Sequence, residues 1–110
     1  MRDRPSLPPL SHLQALALGL LRSGDRPGRL VREAMAGYGV RHTAAAFYQM
    51  MARLERDGFV AGRYEAVWAG DQQVTERWYL LTAAGERAWQ RTQAFYEAIG
   101  RAADEGYSPA

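Results

Sequence analysis

The chain has 110 residues, 47% hydrophobic and 24% charged, with a formal net charge of +2. That is an ordinary soluble composition and one small domain, for which a second copy is a ready source of extra buried surface. The absence of cysteine excludes a disulfide framework, a thiol nucleophile and a cysteine metal site, and His12 and His42 stand far apart with no bracketing carboxylates, so neither metal nor cofactor is expected.

All 14 basic residues are arginine, with no lysine and no asparagine, so a coding bias accounts for the arginine content and only its distribution is informative. Residues 1–64 hold ten arginines against five acidic residues, a net of +5, and residues 65–110 hold four against seven, a net of −3. The asymmetry favours an anionic partner for the first half. Residues 1–10 carry three prolines and two arginines and read as a flexible arm, without the apolar core or small-residue cleavage site of a secretory signal. The apolar run Ala15–Leu21 is far shorter than the roughly 18 residues of a membrane helix. A cytoplasmic location with no membrane partner is expected.

Ser11 reads as the N-cap of a first helix running to about Arg22, apolar almost all round, which a single small domain cannot cover on every side. Residues 23–26 form a turn. Pro27 suits the first turn of a second helix to about Ala36, with Leu30, Val31, Ala34 and Met35 inward. Residues 37–40 turn the chain into the element that carries most information. Thr43 caps it, Gly58 stops it, and Phe47, Met50, Met51 and Leu54 form its buried stripe. Its opposite face presents Ala45, Gln49, Ala52 and Arg56, flanked by Tyr48 and Arg53. Such a face is either a solvated helix surface or one shaped to meet DNA. Two short helices joined by a glycine-containing turn make a helix-turn-helix pattern.

Residues 59–68 and 74–81 alternate as half-exposed strands around a polar tip, Ala69–Gln73, and form a β-wing. Thr82 caps a last helix to about Ala103. There Trp89, Thr92, Tyr96, Ile99 and Ala103 follow the spacing of a heptad seam, too wide a stripe for one small domain to bury. The fold class expected is mainly α with a small two-stranded β-wing. It divides into a flexible arm (1–10), a winged helix-turn-helix DNA-binding domain (11–82), a C-terminal dimerisation helix (83–104) and a flexible tail (105–110). No carboxylate pair, nucleophile–base pair or phosphate-cradling glycine loop is present, so no enzyme is expected.

Leu18-Gly19-Leu20-Leu21, Pro27-Gly28, the run Ala46 to Val60 containing Arg53-Leu54-Glu55-Arg56-Asp57-Gly58, and Arg77-Trp78-Tyr79-Leu80-Leu81-Thr82-Ala83-Ala84-Gly85 stand in an order that resembles the PadR-like transcriptional regulators. The resemblance spans roughly residues 11–100 and departs where Ala44 and Ala45 replace proline or glycine, and where a basic wing tip is replaced by one carrying only Asp71. It implies a dimeric, sequence-specific regulator, acting as a repressor and released by a small aromatic or cationic effector. On that reading Ala44, Ala45 and Gln49 meet base edges in the major groove of a pseudo-palindromic operator. Arg41, Thr43, Tyr48 and Arg53 meet phosphate, as do Arg63 and Arg77 on the wing. The first and last helices build the homodimer, and Trp89 and Tyr96, seven residues apart, are the candidate effector contacts. The rival expectation is a winged-helix module that binds protein without binding DNA, supported by the neutral wing tip.

Overall fold

A computed structural model describes residues 6–106, so the first five residues of the arm and the end of the tail lie outside the described residues. The elements are α1 (His12–Leu20), β1 (Arg26–Pro27), α2 (Gly28–Gly37), α3 (Ala44–Arg56), β2 (Val60–Ala69), β3 (Gln72–Leu81) and α4 (Ala83–Asp104). The fold is a winged helix-turn-helix followed by one long helix. Its sheet is antiparallel with order β1-β3-β2, three strands where the sequence suggested two.

Local chemistry sets most boundaries. Ser11 caps α1 in a reciprocal box with Gln14, each accepting from the other's backbone N–H. The Thr43 hydroxyl accepts from Ala46 N at 3.0 Å, and that of Thr82 from Gly85 N at 3.0 Å. Gly58 follows α3 at φ 80°, and Gly70 sits at φ 64° in the hairpin tip; both are left-handed conformations that glycine adopts without a Cβ penalty. The strands run further than the sequence suggested. Val60 pairs with Leu81 and Ala69 with Gln72, which leaves only Gly70 and Asp71 as the tip.

The core joins Ala17, Leu18 and Leu21 at α1 to Val31 and Met35 of α2, Phe47, Met51 and Leu54 of α3, and Val60 and Tyr79 of the sheet. Two expectations need correction. Pro27 is not inside the second helix; it is its N-cap and pairs with Trp78, while Arg26 pairs with Tyr79. Leu30 is not inward but 39% exposed, because the α2 stripe that meets the core is carried by Val31 and Met35.

α4 leaves the domain. Ala88 and Thr92 are buried, but Tyr96 and Ile99 are each 51% exposed. The radius of gyration is 17.1 Å, against about 13 Å for a spherical domain of this length. Its first turn is welded to the core instead. Thr82 donates its hydroxyl to Gly58 O at 2.6 Å, and Phe59 O receives Thr82 N.

Tyr79 is 3% exposed, and burial pushes its phenol up to about 12, opposed by a hydrogen bond with Arg77. The unfolded phenol ionises near 10. Below pH 10 both states keep the proton and the burial energy is intact. Between pH 10 and 12 only the unfolded chain loses it, so stability falls as pH rises, by about 1.4 kcal/mol at pH 11. Tyr79→Phe removes this dependence. Thermal unfolding of the two proteins between pH 8 and 11 checks it, and parallel losses would refute it.

Candidate nucleic-acid interface

α3 buries Phe47, Met51 and Leu54 and turns the rest of its surface outward. The crest, Ala45, Gln49, Ala52 and Arg56, is exposed along its whole length. It has no bulky side chain in its first two turns, so another surface can approach the backbone there. Each flank borders a cleft.

On the wing side Ala44 and Tyr48 line a cleft of about 970 Å³ with Arg29, Arg32, Arg41, Thr43 and residues 75–77. Tyr48 sets its ring edge-on to Phe47 at 4.9 Å. It also lies over the start of α2, where a Cβ added to Gly28 would fall 2.9 Å from its Cε1 and 3.1 Å from its hydroxyl. Gly28 is therefore what lets Tyr48 fold down beside the crest. On the other flank Ala46, Gln49, Met50 and Arg53 border a cleft of about 550 Å³, closed by Pro8, Pro9, Leu10 and Ser11. His42 lies between the two clefts, edge-on to Phe47 at 5.5 Å, and its Nε2 is buried with no protein partner among the described residues. Sequence reasoning used His42 only to argue against metal; nothing in its neighbours marks it as a floor residue.

The arginines fall into two groups. Arg63 is held by Asp25 and Glu65, both at 2.6 Å, with Trp78 5.3 Å below its guanidinium. Arg77 donates to both oxygens of Glu55, at 2.8 and 2.9 Å, and stacks on Tyr64 at 4.6 Å. Arg29 bonds Glu76 at 2.9 Å. These carboxylates hold all three guanidinium groups above their ordinary value, chiefly through the hydrogen bonds. The two wing arginines expected to meet phosphate are thus already paired with the chain's own carboxylates, Arg63 at an exposed position and Arg77 at a half-buried one. Arg41, Arg53 and Arg56 have no carboxylate within 4.0 Å among the described residues, and all three are exposed. Free cations therefore stand around α3 and not on the hairpin. The Thr43 hydroxyl is occupied as a helix cap, with its second lone pair open.

The candidate effector residues are not brought together. Trp89 lines a cleft of about 450 Å³ with His12, Leu16, Gly19, Leu20 and Tyr38, and Tyr96 lies outside this lining. The Arg22 guanidinium covers the Trp89 ring at 3.8 Å and is itself held by Glu86 at 2.9 Å. Tyr96 stacks on His12, with centroids 6.3 Å apart. Arg22 and Glu86 were missed because their meeting joins the turn after α1 to α4 across 64 residues.

Among the described residues no group of three or more histidine, aspartate or glutamate side chains could hold a metal ion. No described helix is long and apolar enough to cross a membrane.

No family model matches the sequence, and no curated protein matches it. Solved structures do match the fold. A PadR family transcriptional regulator from Eggerthella lenta superposes with a TM-score of 0.68 at 24% identity, over 84% of this chain and 79% of that one. A PadR family transcription regulator from Clostridium difficile gives 0.72 at 13% identity, over 89% and 100%. Bacillus subtilis PadR, solved in complex with operator DNA, gives 0.59 at 22% identity, over 73% of this chain and 46% of that longer protein. The chain therefore shares the winged-helix fold of PadR-family regulators.

Proposed function

We propose that the chain is a PadR-like, cytoplasmic transcriptional regulator that binds double-stranded DNA as a homodimer, and not an enzyme. The observation that carries this reading is the crest of α3, small and exposed, with Arg41 and Arg53 free on its two flanks. Its occurrence on the fold of a protein solved on operator DNA adds support. Residues 11–82 form the DNA-binding unit, and residues 83–104 the dimerisation helix. Ala44 and Ala45 let the α3 backbone approach the major groove, and Gln49 offers adenine both a donor and an acceptor. Arg41, Tyr48, Thr43 and Arg53 hold phosphates and fix the register. Arg63 and Arg77 reach phosphate only by leaving Asp25, Glu65 and Glu55, so their share of the affinity is small.

The exposed seam of α4, Tyr96 and Ile99, together with Leu13 of α1, is covered by the second copy, which places two α3 helices on a pseudo-palindrome. A repressor fits such an operator-occupying dimer. The aromatic sites at the α1–α4 junction suit a planar cationic effector. Arg22 already holds the position over Trp89 that such a cation takes, so binding displaces it from both the ring and Glu86.

Trp68, 72% exposed on a hairpin whose tip carries only Asp71, favours the second reading, a module that binds protein. A gel shift on the promoter upstream of the protein's own gene separates the two. The regulator reading expects a dimer-sized complex that weakens steeply with salt, and that dissolves when the right planar cation is added. A folded protein that shifts no DNA at low salt overturns it, a monomer in light scattering removes the dimer, and no release by a broad panel of planar cations removes the effector.

A further inference from the structure

The cleft between α3 and the hairpin is not balanced in charge. Its wall holds Arg29, Arg32, Arg41 and Arg77 against Glu33 and Glu76. Both glutamates are taken by Arg29, at 3.7 and 2.9 Å, and Arg77 is held by Glu55. Arg32 and Arg41 are left with no carboxylate within 4.0 Å among the described residues. Arg41 is exposed, whereas Arg32 is half-buried and donates from Nη2 to the backbone oxygen of His42 at 3.3 Å. A guanidinium carries five donors, and a partly buried charge without an anion beside it is unfavourable. Arg32 is thus a cation with donors to spare in the wall of a cleft of about 970 Å³. A space of that size holds a drug-sized ligand and so has room for a sugar–phosphate unit.

We propose that this cleft seats one strand of the DNA and that Arg32, from α2, clamps a phosphate of that strand against the turn that leads into α3. This rests on the operator-binding reading above. A helix with its side chains is about 10–12 Å across, and the major groove is about 12 Å wide. A helix lying in the groove therefore has a phosphate strand along each flank. On the hairpin side that strand meets the cleft, whose surplus charge is opposite to its own. The first helix of a helix-turn-helix crosses the backbone there, and Arg32 lies on α2 one turn after Arg29, which its own glutamates occupy. The planar fork can take a phosphate through two N–H groups and keep a third for His42 O. His42 directly precedes Thr43, the cap of α3. One side chain thereby ties the phosphate to the start of α3 and sets how deep that helix sits, while reading no base itself.

The test titrates the promoter fragment across a salt series with the full chain, Arg32→Gln and Arg32→Lys, beside melting curves without DNA. Arg32→Gln keeps a donor for His42 O and removes the charge. It is expected to flatten the slope of log Kd against log salt by about 0.9 per protomer, and to weaken low-salt binding by about tenfold or more. Ethylating the clamped phosphate should weaken the parent and leave Arg32→Gln unaffected. Arg32→Lys should keep the slope and the melting temperature but bind about tenfold more weakly, because one ammonium does not reproduce the fork. An arginine that only braces the turn would lower melting temperature and affinity with the slope unchanged. An Arg32→Gln protein with the parental slope therefore overturns the clamp and leaves the regulator intact. If Arg32→Gln does not fold, Arg32→Lys decides, and parental affinity in it overturns the clamp. A parent that binds no DNA at low salt overturns both.

Discussion

Gly85→Ala is expected to destabilise the fold by about 2–3 kcal/mol, although alanine is the better helix former. A Cβ at this position falls 2.0 Å from Phe59 O and 2.7 Å from Leu81 Cδ1. The nearer atom is backbone, and Phe59 O already accepts Thr82 N at 3.2 Å, so it cannot retreat without breaking the seam between the β2 end and α4. For a domain of this size the loss is about 10–20 °C in Tm. Gly100, in the same helix, has nothing within 4 Å of its would-be Cβ. Gly100→Ala should therefore gain about 0.5–1 kcal/mol from helix propensity alone. Opposite signs for two identical changes in one helix isolate the close approach from the propensity. Calorimetry on the pair checks it, and a Gly85→Ala protein that melts at or above the parent temperature refutes the packing argument.

What could be read from the sequence is what local chemistry decides. Thr43 and Gly58 bound α3 because a cap and a left-handed stop act within one turn, and the stripe of Phe47, Met51 and Leu54 follows from the helical period. The hairpin and Thr82 were legible for the same reason. β1 was not, because Arg26 and Pro27 are a strand only by pairing with Tyr79 and Trp78, some fifty residues away. The interface divides along the same line. That Ala45 and Gln49 lie on an outer crest follows from 100° per residue. That Arg63 meets Asp25 and Arg77 meets Glu55 depends on rotamers brought together by the sheet, across 38 and 22 residues. The resemblance therefore placed cations on the wing that the fold pairs with carboxylates there. The spacing of Trp89 and Tyr96 gave a shared stripe but could not show Arg22 arriving from the turn after α1 to occupy the ring.

Ala45→Asp should separate folding from DNA binding more sharply than any change at an arginine. Ala45 is the second residue of α3, exposed, in a first turn that has no acidic residue of its own. A carboxylate there meets the positive end of the helix dipole and gains about 0.3–1 kcal/mol. That offsets the lower helix propensity of aspartate, about 0.7 kcal/mol or less. The Thr43 cap to Ala46 N is untouched, so Tm should barely move. On DNA the same carboxylate enters a groove walled by phosphates, where among base edges only cytosine or adenine amino groups can donate to it. The expected loss of operator affinity is about a hundredfold, or about 2.7 kcal/mol, and Ala45→Ser, equally small and uncharged, should keep most of the binding. Anisotropy titrations of both variants, beside their melting curves, read the two effects independently. A stable Ala45→Asp dimer with undiminished affinity for the operator would remove α3 from the groove, and with it the assignment of Ala44, Gln49 and Tyr48, because all four residues reach DNA only through the same face of one helix.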